Sequence, residues 1–179
     1  MSKNILLISA SLRNGSNSDM LADEFMRGAL ESGNNAEKIT LRGKSINFCK
    51  GCLACQKTGK CVINDDMAEI LPKMQQADVI CFASPVYFYD MCGQLKTFLD
   101  RTNPLFPAEY NFTDIYFLIT AADTEQTASE GPLKGLQGWI DCFENAGLKG
   151  VVCGLGAEKP GDVKSMPAMN EAYMFGKKA

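Results

Sequence analysis

The fold of this chain is decided by the stretch Asn4-Ile5-Leu6-Leu7-Ile8-Ser9-Ala10-Ser11-Leu12-Arg13-Asn14-Gly15-Ser16-Asn17-Ser18. The apolar run from Asn4 to Ser9 is typical of a buried β-strand. The polar segment after it leads into residues 18–32, where apolar side chains recur near every 3.6 residues and predict a helix with one buried face. A buried strand, a polar loop and an amphipathic helix in succession form the first unit of a parallel α/β sheet.

The same alternation of strand and helix continues along the chain. Further short apolar runs, bounded by polar, Gly or Pro residues, predict strands over 36–41, 78–83, 114–120 and 150–154. Helical spacing of apolar residues predicts helices over 66–76, 92–102, 133–146 and 163–175. The pattern predicts an α/β fold, a doubly wound five-stranded parallel sheet of order 2-1-3-4-5 with helices on both faces. Residues 1–179 are predicted to form a single domain.

The composition excludes several classes of function. With 46% hydrophobic residues, 22% charged residues and a formal net charge of −3, the chain has no basic surface for nucleic acid. No run reaches the roughly 18 apolar residues that span a bilayer, and the N-terminus lacks the pattern of a signal peptide. We therefore expect a cytoplasmic protein with no nucleic-acid or membrane partner. Histidine is absent, which removes the commonest general base. Electron or hydride transfer remains possible, because a bound cofactor carries out the chemical step.

The first loop, from Ser9 to Ser18, has the groups that a terminal phosphate needs. Ligands of such sheets bind beyond the carboxyl ends of the strands, and this loop joins the first strand to the first helix. It offers hydroxyls, Arg13, the flexible Gly15 and the amides of a helix N-terminus, all of which favour an anion. It lacks the glycine patterns of dinucleotide and triphosphate loops, which favours a monophosphate. The alternative is a ligand-free helix start capped by Ser16 or Asn17.

Two further loops are predicted to reach the same edge of the sheet. The segment from Ser84 to Gly93 follows the third strand and carries three consecutive aromatic residues beside Pro85. These aromatics suit the face or edge of a planar ring, although aromatic side chains also pack under loops without any ligand. The segment from Thr120 to Thr124 follows the fourth strand and is expected to flank the same crevice.

The cysteine loop, residues 43–64, carries four of the eight cysteines. Cys49, Cys52 and Cys55 stand at successive x2 spacing, and Cys61 follows six residues later. Such a run can hold a small iron-sulfur cluster. Zinc is a second interpretation, although its structural sites more often use two separated Cys-x2-Cys pairs. The third is a metal-free loop of reduced thiols, or a disulfide formed on air exposure, closing a wall of the crevice.

Together these segments resemble the flavodoxin-like NAD(P)H-dependent FMN reductase superfamily, and within it the iron-sulfur flavoprotein branch. The run S-P-V-Y-F-Y-D-M-C-G-Q-L-K-T-F-L-D-R from Ser84 is the most specific carrier. The resemblance implies FMN, with its phosphate at Ser9, Ser11, Arg13, Ser16, Asn17 and Ser18, its isoalloxazine ring against Pro85, Val86, Tyr87 and Phe88, and Thr120, Ala121, Ala122 and Asp123 on the opposite flank. A [4Fe–4S] cluster on Cys49, Cys52, Cys55 and Cys61 fits the same resemblance. Cys92 departs from the pattern, since a small hydroxyl residue or alanine is expected there.

We therefore expect an FMN-dependent oxidoreductase that passes electrons from NAD(P)H through FMN to a second acceptor. The acceptor classes are a quinone, a nitro or azo compound, free flavin, oxygen or a protein. One alternative is an FMN electron carrier without pyridine-nucleotide activity, and another is a metal or redox-sensing module that uses the cysteine loop alone. The apolar segment 103–112 is predicted to be covered by another subunit or to roof the flavin, the alternative being an ordinary packed loop. Coverage by a subunit favours a homodimer or homotetramer.

Overall fold

The computed structural model describes residues 2–179 and confirms the predicted sheet. Five parallel strands lie in the order β2-β1-β3-β5-β6, which is the predicted order once the short extra strand β4 is counted. β4 pairs antiparallel with the end of β3. The strands are β1 Asn4–Ser9, β2 Asn35–Thr40, β3 Val79–Tyr87, β4 Asp90–Met91, β5 Asp114–Ala121 and β6 Gly147–Leu155.

Helices cover both faces of the sheet and produce two cores. They are α1 Asn17–Glu31, α2 Ala54–Thr58, α3 Met67–Gln76, α4 Gly93–Asp100, α5 Glu130–Ile140 and α6 Pro167–Lys178. Leu6 and Ile8 of β1 point into the core beneath α3, α4 and α5, whereas Ile5 and Leu7 point into the core beneath α1 and α6. Because both faces are covered, β1 needs consecutive apolar residues rather than an alternating pattern.

Several element bounds differ from the prediction. The helix predicted over 133–146 ends at Ile140, and Phe143 lies in the connection to β6 with its ring buried in the core. The final helix starts only at Pro167, after a 3₁₀ turn over Asp162–Ser165. α2 and β4 were not predicted at all, because five-residue and two-residue elements are too short to show a periodic pattern.

The prediction for the segment 103–112 is wrong in its main part. Leu105 and Phe112 are buried in the protein's own core, and Tyr110 stacks on Phe112 with ring centroids 4.4 Å apart. The aromatic rings fill the space between β5 and the connection after α5, so they need no partner subunit. Asn103 contacts the cysteine loop through Gln56, at 3.2 Å, rather than the edge where the flavin is expected. Only Phe106 stays largely exposed among the large apolar residues of this segment.

No helix among residues 2–179 has the length and apolar character needed to cross a bilayer.

Candidate functional site

The register of the parallel strands brings the three predicted ligand loops to one edge of the sheet. Ser9, the last residue of β1, pairs with Ala83 of β3, and Pro85 further along β3 pairs with Thr120 of β5. The segments that follow Ser9, Pro85 and Thr120 therefore leave the sheet side by side. This edge is the carboxyl end of the strands, where α/β sheets bind their ligands.

The loop from Ser9 to Ser18 combines a helix cap with free backbone donors. The Ser16 hydroxyl accepts a 3.2 Å hydrogen bond from the amide of Asp19 and caps α1, so the predicted cap is present. Residues 12–15 are exposed. Within residues 2–179, no hydrogen bond is donated by the backbone amides of Leu12, Asn14 or Gly15. These free N–H groups lie at the positive end of the α1 dipole, where an anion is stabilised.

Two hydroxyls at this loop are buried without a hydrogen-bond partner. They belong to Ser9 and Ser18. The Ser9 side chain lies near the carboxylate of Asp19 but makes no hydrogen bond of normal geometry with it. Because buried hydroxyls are normally satisfied, an unpaired pair beside a helix N-terminus indicates a place where an acceptor belongs. A phosphate oxygen is an acceptor of this kind.

Asn17 holds a neighbouring loop instead of facing the crevice. Its side-chain amide donates to the carbonyls of Ala157, at 3.2 Å, and Lys159, at 2.9 Å. Its carbonyl accepts from the amide of Gly161 at 2.9 Å. The Asn17 side chain is therefore committed to residues 157–161, which follow β6 at the same edge of the sheet. This loop was missed from the sequence, although Gly-x3-Pro-Gly after a predicted strand is a signal for a loop at the carboxyl end.

Arg13 is exposed and reaches the same loop. Its Nη1 donates to the carbonyl of Glu158 at 3.1 Å. Arg42, which follows β2, donates from its Nη1 to the carbonyl of Arg13 at 3.3 Å. Two guanidinium groups from different strand ends thus surround the free amides, and their charges favour an anion there.

The aromatic segment after β3 forms a tight hairpin with a strained turn. Val86 pairs with Met91 and Tyr87 with Asp90, which leaves Phe88 and Tyr89 as the two turn residues. Both have left-handed backbone, with φ of 51° and 61°. This is the pattern of a type I′ turn, which strongly favours Asn and Gly. Large aromatic residues in such a turn are costly, and strain of this sort is concentrated at functional sites.

The hairpin is tied to the loop after β5. The Tyr89 hydroxyl donates to Asp123 Oδ2 at 2.8 Å. This hydrogen bond, together with the negative charge of Asp123, raises the pKa of Tyr89 above its usual value. The pKa of Asp123 is lowered by the amide of Glu125 and by the Tyr89 hydroxyl. The two loops that were predicted to lie on opposite flanks of a ring are therefore in direct contact.

Helix α5 supports the hairpin from behind at Gly131. A Cβ atom placed on Gly131 would lie 2.0 Å from the carbonyl oxygen of Tyr89. Only glycine allows this approach, so the position of the hairpin depends on α5. Phe88 is fully exposed, and the side chains of Tyr87 and Tyr89 are more than half exposed. The aromatic groups therefore project from the edge rather than pack under the loop.

Cys92, where a small hydroxyl residue or alanine was expected, lies inside the protein. It is fully buried and begins α4 as its N-cap. Its amide donates to the Ser84 hydroxyl at 3.1 Å, and its thiol lies 3.7 Å from the carbonyl of Ala10. Cys92 therefore links the start of α4 to the ends of β1 and β3, and its sulfur does not face solvent.

The four cysteines of the cysteine loop lie near one another but differ in exposure. Cys49 and Cys52 are exposed, Cys61 is partly buried and Cys55 is buried. Burial raises the pKa of Cys55, and the neighbouring sulfurs of Cys61, Cys49 and Cys52 raise it further. Among the described residues, no three Cys, Asp or Glu side chains are arranged to hold a metal ion. Four thiols are chemically suited to bind a metal as thiolates, but their sulfur atoms would have to move closer together to form a site.

A buried ion pair closes the base of the cysteine loop. Arg101, at the end of α4, binds Asp65 through two hydrogen bonds, Nη1 to Oδ2 at 2.7 Å and Nη2 to Oδ1 at 2.9 Å. The two side chains are 0% and 3% exposed. Burial by itself raises the pKa of Asp65, but hydrogen bonds from Arg101 and Asn47 outweigh burial and hold that pKa well below its usual range. This pair was not predicted from the sequence, although Arg101 falls three residues after Phe98 on the buried face of α4.

A sequence model of the NADPH-dependent FMN reductase family matches residues 3–129, which is more than half of the chain. The chain belongs to this family. The matched region contains the first loop, the cysteine loop, the aromatic hairpin and the loop after β5. The family match therefore includes every segment that the sheet brings to the candidate site except the loop after β6.

Curated relatives differ in how much of the chain they match. An iron-sulfur flavoprotein of Methanocaldococcus jannaschii is 44% identical over 101 residues, 56% of this chain and 52% of its own length. An iron-sulfur flavoprotein of Archaeoglobus fulgidus is 37% identical over 97 residues, 54% of this chain and 44% of its own length. The chain thus aligns with about half the length of these relatives. A Bacillus subtilis protein, named as an NAD(P)H-dependent FMN-containing oxidoreductase, is 29% identical over 172 residues, 89% of this chain and 88% of its own length.

Solved structures of other proteins are similar in fold to this chain. An NAD(P)H:quinone oxidoreductase of Methanothermobacter marburgensis has a TM-score of 0.72 at 19% identity, covering 100% of this chain and 94% of that one. An FMN-dependent NADH-azoreductase of Bacillus anthracis, solved in complex with FMN, has a TM-score of 0.71 at 16% identity and covers 98% of each chain. At these identities the similarity shows the flavodoxin-like fold alone.

Proposed function

We propose that this member of the FMN reductase family is an FMN-dependent oxidoreductase that passes electrons from NAD(P)H to a second acceptor. The observation that carries the proposal is the convergence of three loops at one sheet edge. A phosphate-type loop, an exposed aromatic hairpin and the loop after β5 meet there, and the hydrogen bond from Tyr89 to Asp123 joins two of them. A mononucleotide with a planar ring needs these features together.

The first loop fits the phosphate of FMN. The free amides of residues 12, 14 and 15 and the Arg13 guanidinium lie on the exposed side of the loop. The unpaired hydroxyls of Ser9 and Ser18 lie beneath it. Ser16 and Asn17 would act indirectly, since the first caps α1 and the second holds the loop after β6. Together these residues would bind and orient a phosphate without a metal ion.

The hairpin and the loop after β5 would hold the isoalloxazine ring. Pro85 and Val86 are half-buried at the edge, and Tyr87 and Phe88 project beyond it. Thr120 and Ala121 are buried at the end of β5, whereas Ala122 and Asp123 lie in the loop. When bound, FMN supplies the chemistry by accepting a hydride from NAD(P)H and passing electrons on. The protein's residues bind and orient the ring, and the absence of histidine is compatible with this role because no side chain has to move a proton.

We also propose that the cysteine loop holds a [4Fe–4S] cluster on Cys49, Cys52, Cys55 and Cys61. The proposal is supported by the three sulfurs that neighbour Cys55, those of Cys49, Cys52 and Cys61, and by the names of the iron-sulfur flavoproteins that the chain resembles. When bound, such a cluster supplies one-electron transfer between the flavin and an acceptor. Iron and zinc analysis of anaerobically purified protein separates the cluster from a zinc site and from a metal-free loop.

The hairpin is the better reason to expect an oligomer, now that segment 103–112 is known to pack internally. Tyr87, Phe88 and Tyr89 are exposed side by side at the edge of the proposed flavin site. We propose that a second copy of the chain covers them in a homodimer or homotetramer. Light scattering at micromolar concentration with FMN bound tests this, and a monomer with full reductase activity would contradict it.

Anaerobic mixing of the FMN-bound protein with NADPH tests the main proposal. We expect the yellow flavin absorbance to bleach and to return when a quinone, azo or nitro compound is added. Flavin that stays oxidised with both NADPH and NADH would instead support an FMN electron carrier without pyridine-nucleotide activity. A protein that binds no FMN would contradict both functions.

A further inference from the structure

We propose that Arg101 is a positioning residue that closes the cysteine loop and places a buried positive charge beside the turn of Cys61. The effect of the Arg101 charge on the cysteines rests on the proposed role of the loop in binding a metal. The closing of the loop by Arg101 follows from the contacts of the described residues alone.

Arg101 joins the two ends of the loop. Its Nη1 donates to the carbonyl of Asn47 at 2.7 Å, before the first cysteine, and its Nη2 contacts the carbonyl of Ile63 at 3.4 Å, after the last one. Asp65, which pairs with Arg101, also accepts a 2.9 Å hydrogen bond from the Asn47 amide. One buried side chain therefore fixes residues on both sides of all four thiols. Backbone groups held in this way lose the freedom that an exposed loop normally has.

One donor of Arg101 remains without a partner. Arg101 is 1% exposed, and its Nε is the one buried side-chain nitrogen among residues 2–179 that has no acceptor. The turn of Cys61 lies beside this guanidinium, because the Ile63 amide donates to the Cys61 sulfur at 3.5 Å and the Ile63 carbonyl accepts from Arg101 Nη2 at 3.4 Å. A buried cation held at this turn is suited to stabilise the Cys61 sulfur when it carries negative charge.

Helix α4 connects this charge to the candidate flavin site. The helix begins at Gly93, directly after the hairpin, and its N-cap Cys92 is anchored to Ser84 and to the carbonyl of Ala10. It ends one residue before Arg101. Eight helical residues rise by about 12 Å, so a short rigid element relates the position of the cysteine loop to that of the hairpin. A residue that holds the loop at the end of α4 would also hold its distance from the flavin.

Two measurements on the FMN-bound full chain, with its iron removed, test the proposal. The first is the rate of trypsin cleavage at Lys57 and Lys60, which reports opening of the loop. The second is the affinity for Co²⁺ as a probe of thiolate ligation, read from sulfur-to-metal charge-transfer absorption. The variants are Arg101→Lys, Arg101→Gln and Asp65→Asn. The matched control is Asp100→Asn, because Asp100 is the adjacent residue on α4 and forms an exposed ion pair with Lys96 at 2.6 Å.

All three variants are expected to be cleaved about tenfold faster or more, since breaking a buried ion pair costs several times RT. The control should match wild type. The charge effect predicts a split in Co²⁺ affinity. A site of four thiolates and Co²⁺ carries two negative charges, so Arg101→Gln, which removes the cation, should bind Co²⁺ about 10–100-fold more weakly than wild type. Arg101→Lys keeps the positive charge but not the two parallel hydrogen bonds to Asp65. It should lose clearly less Co²⁺ affinity than Arg101→Gln, although trypsin cleaves the two variants at the same rate.

Three results would overturn the inference. Cleavage rates equal to wild type in all three variants would show that the pair does not close the loop. Equal losses of Co²⁺ affinity in Arg101→Lys and Arg101→Gln would remove the charge effect and leave only a structural ion pair. If the substitutions unfold the chain, hydrogen exchange of wild type decides: amides at 45–49 and 62–66 that exchange as fast as those at 56–60 would contradict closure. Wild type that binds no Co²⁺ would contradict the ligand role in the proposed function, while the cleavage rates would still judge loop closure.

Discussion

Replacing Phe88 by Asn and Tyr89 by Gly is expected to stabilise the protein while it weakens FMN binding. Both native residues have left-handed backbone, which costs about 1–2 kcal/mol for each non-glycine residue. Asn and Gly are the residues that a type I′ turn favours. Phe88 is fully exposed and the hydrogen bond of Tyr89 with Asp123 lies at the surface, so little contact energy is lost. Glycine at position 89 loses more conformational entropy on folding than tyrosine, which costs about 0.5–1 kcal/mol. The free energy of unfolding should therefore rise by about 1–2 kcal/mol in total.

Urea unfolding of the flavin-free double variant Phe88→Asn, Tyr89→Gly measures the gain, and fluorescence titration measures its affinity for FMN. Phe106→Asn is the matched control, because Phe106 is also exposed but has right-handed backbone, with φ of −58°. The control should leave FMN affinity unchanged and stability within about 0.5 kcal/mol. A double variant no more stable than wild type would refute the argument from strain. Unchanged FMN affinity would refute the role of the hairpin in the site.

Four other predictions follow from the same contacts. Arg13→Ala should weaken FMN binding by about 1–3 kcal/mol in a titration, whereas loss of Arg27, which is paired with Glu24 and Glu31 on α1, should not. Gly131→Ala should displace the hairpin, since its Cβ would clash with the Tyr89 carbonyl. Thermal unfolding should show a free energy of unfolding that is lower by about 1–3 kcal/mol. The pKa of Asp65 is lowered in the folded state. The stability that Asp65 contributes is therefore present above its unfolded pKa of about 3.9 and is lost as the pH falls toward the folded value. In an acid titration, Asp65→Asn should lose less free energy of unfolding than wild type. Anaerobic protein should contain about four iron atoms per chain, and iron near zero with intact flavin reduction would show that the cysteine loop is structural.

The central strands and their order could be predicted because both cores require continuous apolar runs. Ile5 to Ile8 alternate between the two cores, and this local pattern is visible in the sequence alone. The three ligand loops were also predictable, since their position at the carboxyl edge follows from the topology of a parallel sheet.

The features that could not be predicted depend on contacts between distant residues. Asn17 resembles a phosphate ligand in the sequence, but its side chain is used by residues 157–161, more than 130 positions away. Arg101 falls on the buried face of α4, but its partner Asp65 lies beyond the cysteine loop and nothing in the spacing of either segment indicates the pair. Such pairs leave no periodic signal, because a single buried polar contact between two elements changes the spacing of neither.

Hydrogen–deuterium exchange with and without FMN tests the placement of the cofactor most directly. FMN binding should slow exchange of the amides in residues 9–18, 86–91 and 121–125, with the largest effect at the free amides of residues 12, 14 and 15. The exchange of Asn35 at the start of β2 and of the last turn of α6, which lie at the amino edge of the sheet, should stay unchanged. Protection confined to other segments, or no protection at saturating FMN, would contradict the assignment of this edge as the flavin site.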